Sequence, residues 1–296
     1  MSMMDAEVLV GIVAFNRKER LVKTLEECRR LGFADILVFD NASGDGTREY
    51  LSQQVGIRTI LSEKNEGGSG GFNEVMRYFI ENTACRWLLT FDDDAYPLFS
   101  YQRLVEYLHS QDGPVPPAYA FRVTYTDGSL CMMNRPSTNV LTRNPLRFIA
   151  SDFHIGEHTG GCPVDCASFV GLLLKRETIQ AVGIVSKKFF IYSDDIYYTL
   201  SISRDVGRLF YCPDLVITHD CGRSSRKLAN HDLMRLEREV VNKIILIREY
   251  SRFKTVYIIL YVARLLFMNP KLSMRILRAV QKGVATDLMP YRNEAL

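Results

Sequence analysis

The sequence lacks an apolar run long enough to cross a bilayer. The longest late run, residues 256–268, is interrupted by Arg264 and falls short of the roughly 20 residues that a membrane-spanning helix needs. The N-terminus also lacks the basic segment of a secretory signal, and its first apolar run stops at Phe15. We therefore expect a cytoplasmic protein with neither a signal peptide nor a membrane-spanning helix.

Two glycine signatures of nucleotide-binding proteins are also missing. After the first predicted strand the chain reads Ala-Phe-Asn-Arg at residues 14–17, where a dinucleotide-binding fold carries Gly-x-Gly-x-x-Gly. No Gly-x-x-x-x-Gly-Lys-Ser/Thr sequence occurs either. These absences exclude a dinucleotide-dependent enzyme and a P-loop enzyme. The chain also shows no internal repeat and no low-complexity segment.

Cysteines are not arranged as in a disulfide framework. There are seven, an odd number, and most lie in apolar runs, which indicates reduced thiols in a protein core; examples are Cys28, Cys85 and Cys212. Cys162 and Cys166 form the only close pair, with His154 and His158 nearby. A zinc site there is an alternative, although the spacing fits no standard zinc pattern.

Acidic residues are scarce near the end of the chain. Between Arg223 and Lys282 there are 14 Lys/Arg and 4 Asp/Glu, whereas the remaining residues hold 23 Lys/Arg and 30 Asp/Glu. A basic tail on a mildly acidic body suggests contact with something anionic. The amphipathic stretch 253–267 suits a helix on an anionic membrane surface; packing on the rest of the chain or on a second copy is the alternative. No nucleic-acid partner is expected, because no RNA- or DNA-binding motif accompanies the charge.

What is present suits one large α/β domain with an appendage. The 296 residues are 47% hydrophobic and 24% charged, as in an ordinary globular protein. Early in the chain, short apolar runs alternate with helical patterns, which predicts βαβ units and a mainly parallel sheet. The predicted strands are Val8–Ala14, Ile36–Phe39, Ile57–Leu61 and Trp87–Phe91; the predicted helices are Arg17–Leu31, ended by Gly32, Thr47–Gln54 and, after a glycine-rich loop, Phe72–Glu81.

The rest of the chain is less regular. Its predicted features are a hairpin of Tyr119–Tyr125 with Leu130–Met133, a long loop over residues 134–163, a helix starting near Asp194, and helices from Leu228 with a break at Asn269–Pro270. We expect one domain over residues 5–222 and a basic helical region over residues 223–296.

Four polar motifs follow the four predicted strands. They are Ala14–Arg17, Asp40–Thr47, Asn65–Asn73 and Asp92–Asp94. Open parallel sheets bind ligands at the carboxyl ends of their strands, so we expect these motifs to share one edge. Taken singly, the second motif is also typical of a turn with a helix cap, and the glycines of the third are typical of a flexible turn. Glycines that open a helix also suit close approach to a phosphate.

The triple aspartate is the most informative motif. Three adjacent carboxylates repel one another, and a hard cation such as Mg²⁺ or Mn²⁺ removes that cost by binding their oxygens together with substrate phosphates. Side chains alternate along a strand, so Asp92 and Asp94 are the expected pair and Asp93 points away. A solvated acidic turn is the alternative.

The four motifs, in this order, resemble the family 2 glycosyltransferases with a GT-A fold. They look most like the bacterial galactofuranosyl- and rhamnosyltransferase branch. The resemblance continues through Phe169–Gly171, Phe189–Asp195 and His219, and so covers about residues 7–222. It implies an α/β fold of the GT-A type with a mainly parallel central sheet, followed by a C-terminal helical extension.

The resemblance also implies a role for each matching residue. The nucleotide and its diphosphate would lie along Ala14, Phe15, Arg17, Asp40, Asn65, Gly68, Gly70, Gly71, Asn73, Asp92 and Asp93. A metal ion, Mn²⁺ or Mg²⁺, would be held by Asp94 and His219 together with Asp92. Phe169 would help to shape the acceptor side. On sequence alone, a lone histidine after an apolar run is more often structural than a ligand.

Asp195 would be the catalytic base, and Asp194 would cap the helix or hold an acceptor hydroxyl. The two begin the same predicted helix, where neighbouring side chains point about 100° apart. The pair also fits a helix cap followed by an acidic first turn. Tyr197 departs from the family pattern, because relatives often carry an acidic residue there, so another register is the alternative.

These roles predict an inverting, metal-dependent transfer of a sugar from a UDP- or dTDP-sugar to a hydroxyl of a bacterial surface glycan or lipid-linked glycan. UDP-galactofuranose is the first choice of donor and dTDP-rhamnose the second. A non-catalytic nucleotide-sugar binding module on the same fold is the alternative of another class. Membrane contact through the basic tail would place the protein at the inner face of the cell membrane. Alternatively, the tail would pack on a second copy of the chain and form a homo-oligomer.

Overall fold

The computed structural model describes residues 7–110, 113–138, 156, 160–222 and 233–296. The strands are β1 (Val8–Ala14), β2 (Ile36–Asp40), β3 (Ile57–Leu61), β4 (Trp87–Asp92), β5 (Ala95–Pro97), β6 (Ala118–Thr124), β7 (Cys162–Val164), β8 (Leu172–Lys175) and β9 (Leu209–His219). The helices are α1 (Lys18–Arg30), α2 (Thr47–Ser52), α3 (Gly67–Asn82), α4 (Tyr101–His109), α5 (Arg176–Val182), α6 (Asp194–Asp205), α7 (Leu233–Tyr250), α8 (Lys254–Met268) and α9 (Ser273–Ala285).

One nine-stranded sheet organises the molecule. Its order is β3-β2-β1-β4-β8-β6-β9-β5, and β7 also pairs with β9. The first four strands are mutually parallel. Beyond them β8 is antiparallel to both β4 and β6, while β9 is parallel to β6 and antiparallel to β5 and β7. The predicted parallel arrangement is therefore confirmed for β3-β2-β1-β4, and the other half of the sheet is mixed.

Helices cover both faces of the parallel half, which explains why its central strands are continuous apolar runs. Every residue of β1 is buried. On one face α1 buries Leu21, Thr24, Leu25 and Cys28, and Gly32 follows it at a φ of 84°. On the other face α3 packs through Phe72, Val75, Met76 and Phe79. The sheet edge between these layers is where the four motifs emerge.

Two predicted elements differ from the observed ones by more than one or two terminal residues. The helix α3 begins at Gly67, so the glycines form its first turns and the predicted loop ahead of Phe72 was wrong. The predicted hairpin is reduced to a single bridge between Thr124 and Leu130, because the chain then turns into a short 3-10 helix, Met132–Asn134. Most of the predicted long loop over residues 134–163 lies outside the described residues.

The C-terminal helices share a core with the chain around α6. Leu236, Val240, Val241 and Ile244 of α7 belong to one cluster of buried residues with Phe189, Tyr197 and Leu200. Farther on, Glu294 pairs with Ile184 in an antiparallel bridge. The predicted break holds, since α8 ends at Met268 and Pro270 opens a 3-10 turn. The division at residue 222 stays a prediction, and residues 223–232 lie outside the described part.

Within the described residues no single helix combines the length and the hydropathy of a membrane span. The segment α8 and residues 270–285 reach that standard only together, as a pair bent by 113°.

Candidate functional site

The triple aspartate lies where β4 ends, beside the last residue of β9. Ala95 pairs with His219 across β5 and β9, which brings the imidazole to the carboxylates. Nε2 of His219 lies 3.1 Å from Oδ1 of Asp94. Ligand atoms of Asp92, Asp94 and His219 all lie within 4.8 Å of one another. The three residues predicted as metal ligands therefore come together.

Positive charge surrounds Asp94. Its Oδ2 accepts hydrogen bonds from Arg17 at 2.8 Å and from Arg20 at 3.0 Å. Burial works to raise the pKa of Asp94, but His219 and the two guanidinium groups hold that pKa below its ordinary value. Sequence reasoning missed Arg20. The available signal was its spacing of three residues from Arg17, which on a helix puts two side chains on one face.

Asp93 turns toward the loop after β1. Its Oδ2 accepts the backbone N–H of Phe15 at 2.9 Å, and its Oδ1 lies 3.1 Å from a guanidinium nitrogen of Arg17. Burial raises the pKa of Asp93 to about 7, although Arg17 and the Phe15 N–H oppose that shift. Asp93 thus fixes the loop after β1 next to the cluster of Asp92, Asp94 and His219.

The imidazole of His219 is held on both sides, because Nδ1 lies 2.7 Å from Oδ1 of Asn134. Burial works to lower the pKa of His219, but the hydrogen bond to Asp94, the contact with Cys131 and the charge of Asp92 raise it to about 10. The negative charge of Asp92 and Asp94 that stabilises a proton on this buried histidine also favours another cation at the same place. Two carboxylates and one imidazole are ligands that divalent ions accept, so this donor set fits Mn²⁺ or Mg²⁺.

The ends of β1 and β2 form the neighbouring part of the edge. Ala14 is buried and lies opposite Asp40 in the sheet, while Phe15 is 40% exposed. The carboxylate of Asp40 is fully buried and accepts hydrogen bonds from the Ser43 N–H at 3.2 Å and from Nε of Arg48 at 2.9 Å. Asp40, one of the residues predicted to line the nucleotide, is thus held in place by Ser43 of its own motif and by Arg48, which the sequence did not suggest.

The predicted glycines serve two different purposes. A Cβ added at Gly71 would lie 2.5 Å from the side chain of Val13, and one at Gly70 would lie 2.5 Å from Cβ of Glu66. Both therefore need glycine for packing. At Gly68 an added Cβ would meet nothing within 4 Å, so Gly68 borders open space.

Two asparagines flank these glycines, and one of them is accessible while the other is buried by packing. Asn65 is exposed, and its Oδ1 accepts the N–H of Gly67 at 2.8 Å. Asn73 is fully buried and donates to the carbonyl of Val185 at 2.5 Å. Asn65 thus stays accessible to a ligand, whereas Asn73 ties α3 to the segment ahead of α6.

Asp194 and Asp195 are the first two residues of α6, and Ser193 occupies the cap position. The alternative that Asp194 caps the helix was therefore wrong. Asp194 is buried and Asp195 is half-buried. Burial raises the pKa of both carboxyl groups, and the charge of Asp92 raises both further. Asp194 and Asp195 therefore lie close enough to Asp92, a predicted metal ligand, to feel its charge.

Lys243 of α7 is a cation near Asp195. Burial lowers the pKa of Lys243, and the charge of Asp195 is among the influences that oppose this shift. No local pattern around Asp195 points to Lys243, since only the packing of α7 brings the two together.

Tyr197 lies in the interior, with its ring 5.0 Å from that of Phe189 and 5.1 Å from that of Tyr250. Tyr197, the expected departure from the family pattern, thus faces the core between α6 and α7. Phe169 is buried too, 4.5 Å from the ring of Phe72.

The cysteines form no disulfide among the described residues, and Cys28, Cys85 and Cys212 are buried as predicted. Cys162 and Cys166 belong to neither of the two groups of potential metal ligands found there, while His154 and His158 lie outside the described part. The second such group consists of Cys131, Cys221 and the same His219.

Comparison with known proteins agrees with this geometry. The family model "Glycosyl transferase family 2" matches residues 9–169, which is more than half of the chain. A galactofuranosyltransferase, GlfT1 of Mycobacterium tuberculosis, is 25% identical over 237 residues, covering 76% of this chain and 73% of the relative.

Solved structures share the fold at low sequence identity. GalNAc-T7 with UDP, GalNAc and Mn²⁺ superposes with a TM-score of 0.59 at 12% identity over 96% of this chain, which spans 56% of that protein. The mannosyltransferase PcManGT of Pyrobaculum calidifontis, in complex with GDP-Man and Mn²⁺, gives 0.52 at 15% identity, covering 97% of this chain and 78% of that one. Residues 1–349 of S. aureus TarS give 0.51 at 10% identity, covering 94% and 90%.

These likenesses establish the predicted α/β fold of the GT-A type with C-terminal helices. Since the family model covers the strand-end motifs up to Phe169, the chain belongs to glycosyl transferase family 2.

Proposed function

We propose that this glycosyltransferase moves a sugar, with inversion, from a UDP- or dTDP-sugar to a hydroxyl of a bacterial surface glycan or lipid-linked glycan. One observation carries the proposal: a carboxylate–histidine cluster fit for a divalent ion stands near a second, separate carboxylate pair. UDP-galactofuranose is the donor of first choice, supported by the GlfT1 relative, and dTDP-rhamnose is the second.

Asp92, Asp94 and His219 would hold the metal ion, Mn²⁺ or Mg²⁺. When bound, such an ion supplies Lewis-acid neutralisation of the charge that develops on the leaving diphosphate. The chain adds its own cations here, because Arg17 and Arg20 already point at Asp94. Both guanidinium groups are partly exposed and are thus able to turn toward a phosphate.

The donor would lie along the strand ends. Phe15 offers an exposed ring beside the rigidly held Asp40, which suits contact with a pyrimidine base. Asn65 is exposed and Gly68 borders open space at the start of α3, so the diphosphate would lie against these two residues. In this proposal Gly70, Gly71 and Asn73 shape the site through packing.

Asp195 would take the proton of the acceptor hydroxyl. A carboxylate whose pKa is raised above its ordinary range is a stronger base, and burial provides that increase. The half-buried Asp195 is more accessible to an acceptor than the buried Asp194. One in-line displacement assisted by one base inverts the anomeric centre.

Release of nucleoside diphosphate tests this proposal. The protein is incubated with Mn²⁺ or Mg²⁺, a panel of UDP- and dTDP-sugars and a glycan acceptor, after a thermal-shift screen has ranked the donors. We expect acceptor-dependent release with one donor class. Donor binding without release under every acceptor would favour the alternative, a non-catalytic binding module.

We further propose that α8 and α9 rest on an anionic membrane surface. Residues 250–286 contain seven Lys/Arg and no Asp/Glu. Tyr257 is the only buried residue of α8, all of which the structure describes, although most of that helix is apolar. Ile259, Phe267 and Met274 are 60%, 89% and 67% exposed. Lys282 pairs with Glu237, but the segment keeps an excess of cations. Exposed apolar side chains next to such an excess suit a headgroup boundary.

A further inference from the structure

The segment that leads into Asp194 has an unusual backbone. Phe190, Tyr192 and Ser193 have φ angles of 61°, 69° and 63°, in the left-handed region that side chains other than glycine disfavour. Such a conformation persists only where surrounding structure over-determines it. Segment 189–193 therefore needs partners that hold it.

One side chain supplies most of that hold. Nδ2 of Asn242, on α7, donates to the carbonyl oxygens of Phe189 at 3.0 Å, Ile191 at 2.8 Å and Tyr192 at 3.0 Å. Asn242 is 2% exposed, so water has little room to replace the amide. Three carbonyl oxygens that converge on one point repel one another unless a donor lies between them.

The segment is held from the opposite side by α3. The Ser69 N–H donates to the carbonyl of Phe190 at 3.2 Å. A Cβ added at Gly67 would lie 1.9 Å from that same oxygen, so only glycine permits this approach. Segment 189–193 is thus held between α3, which borders the proposed donor site, and α7 of the basic C-terminal region.

We propose that Asn242 is a positioning residue that fixes segment 189–193 and thereby aims Asp195 at the acceptor. A carboxamide on a packed helix brings two N–H donors to three converging carbonyl oxygens, so that one N–H is shared between two of them. A carboxylate would instead repel these oxygens, and an alkyl group would offer them no donor. The C-terminal helices therefore complete the catalytic unit. The consequence for turnover rests on the proposed function, but the holding role does not.

Hydrogen exchange measured by mass spectrometry tests the holding role without any substrate. In Asn242→Asp, which keeps the shape of the side chain, we expect the amides of residues 189–196 to exchange at least tenfold faster. Exchange in α4 should not change. Asn242→Ser, which keeps one donor and adds no charge, should give an intermediate increase.

Tyr250→Phe is the matched control. It removes a 3.0 Å hydrogen bond from the same helix to the carbonyl of Tyr197, outside segment 189–193. Exchange of residues 189–193 should therefore stay at the wild-type rate in this variant. An unchanged rate in both Asn242 variants, or an equal increase in Tyr250→Phe, would overturn the proposal.

Kinetics separate positioning from mere stability. We expect Asn242→Asp to lower kcat at least tenfold per folded molecule while the Kd for UDP with Mn²⁺ stays within twofold of wild type. Faster exchange with a wild-type kcat would refute the positioning role. Faster exchange in an enzyme whose wild type transfers no sugar would instead refute the proposed function and leave the holding role supported.

Discussion

Two groups of acidic residues lie near each other in this protein, and Asp94 in the first differs in its electrostatic surroundings from Asp194 and Asp195 in the second. Burial raises the pKa of Asp92 and Asp93, the neighbours of Asp94, as it does in the second group. Asp94 is flanked by Arg17, Arg20 and His219, which hold its pKa below the ordinary value against the effect of burial. Asp194 and Asp195 have their pKa raised by burial and by the charge of Asp92. Asp94 thus retains its negative charge, whereas Asp194 and Asp195 favour their protons.

This difference suggests a division of labour. A carboxylate that stays ionised among cations is suited to a metal ion and a diphosphate, because its charge is always available. A buried carboxylate with a raised pKa is suited to accept a proton near neutral pH. The same residue type thus serves two roles, and its environment decides which.

Removing the metal should have the largest effect. Excess EDTA, or Asp94→Ala at saturating donor, should abolish transfer, since both remove the ion that neutralises the leaving diphosphate. Asp205→Ala is the matched control, because Asp205 is an exposed carboxylate paired with Arg204, and it should keep wild-type activity. Full activity in EDTA would remove the metal from the mechanism.

Removing the base should have the next largest effect. Asp195→Asn should lower kcat by about 10²–10⁴-fold, the usual contribution of a general base, without weakening donor binding. Asp194→Asn should lose less, mainly through a higher KM for the acceptor. A nearly inactive Asp194→Asn beside an active Asp195→Asn would reverse the two assignments.

The raised pKa of Asp194 also predicts that the variant Asp194→Asn is more stable than the wild type at high pH. Because the folded-state pKa lies above the unfolded value, the protonated acid is favoured in the fold, and stability present at low pH is lost as the pH rises through that raised pKa. Asp194→Asn should therefore raise Tm at pH 8 by at least about 2 °C in EDTA. The gain should shrink steadily as the pH falls from about 8 to the ordinary aspartate value of 3.8, below which the wild-type carboxyl is protonated in the folded and the unfolded state alike. A lower Tm at pH 8 would contradict the burial account.

Membrane binding should show the smallest effect, because each cation near an anionic surface contributes only about 1 kcal/mol. At low salt the protein should sediment with vesicles containing anionic lipid and not with neutral ones. Phe267→Ser should weaken this binding. Val55→Ser is the matched control, since Val55 is 90% exposed but far along the chain from α8. Failure to sediment, or concentration-dependent dimerisation lost in Phe267→Ser, would favour a protein partner instead.

The parallel half of the fold could be predicted because its signals are local. The bounds of β1 and β3 match the predicted ones, and the four motifs do share one edge. Apolar runs and strand-end motifs are formed by residues adjacent in the sequence, so the sequence alone is enough to recognise them. The start of α3 was misplaced because glycine is a poor helix former, and here close packing of Gly71 on Val13 outweighs that preference.

The partners of the acidic groups could not be predicted in the same way. Lys243 and Asn242 reach their targets only because α7 packs against α6 through an apolar cluster. Asn134 meets His219 across the sheet, and nothing near either residue announces the contact. Such pairs depend on tertiary packing, which a single sequence does not display.

Calorimetric titration of UDP, with and without Mn²⁺, tests the division of labour most directly. Asp195→Asn should bind UDP with wild-type affinity and the same dependence on Mn²⁺, while its turnover falls by about 10²–10⁴-fold. Asp94→Ala should lose the Mn²⁺-dependent part of the affinity. Equal loss of UDP affinity in both variants, or Mn²⁺-dependent binding that survives in Asp94→Ala, would contradict the assignment of one acidic group to the metal and the other to the proton.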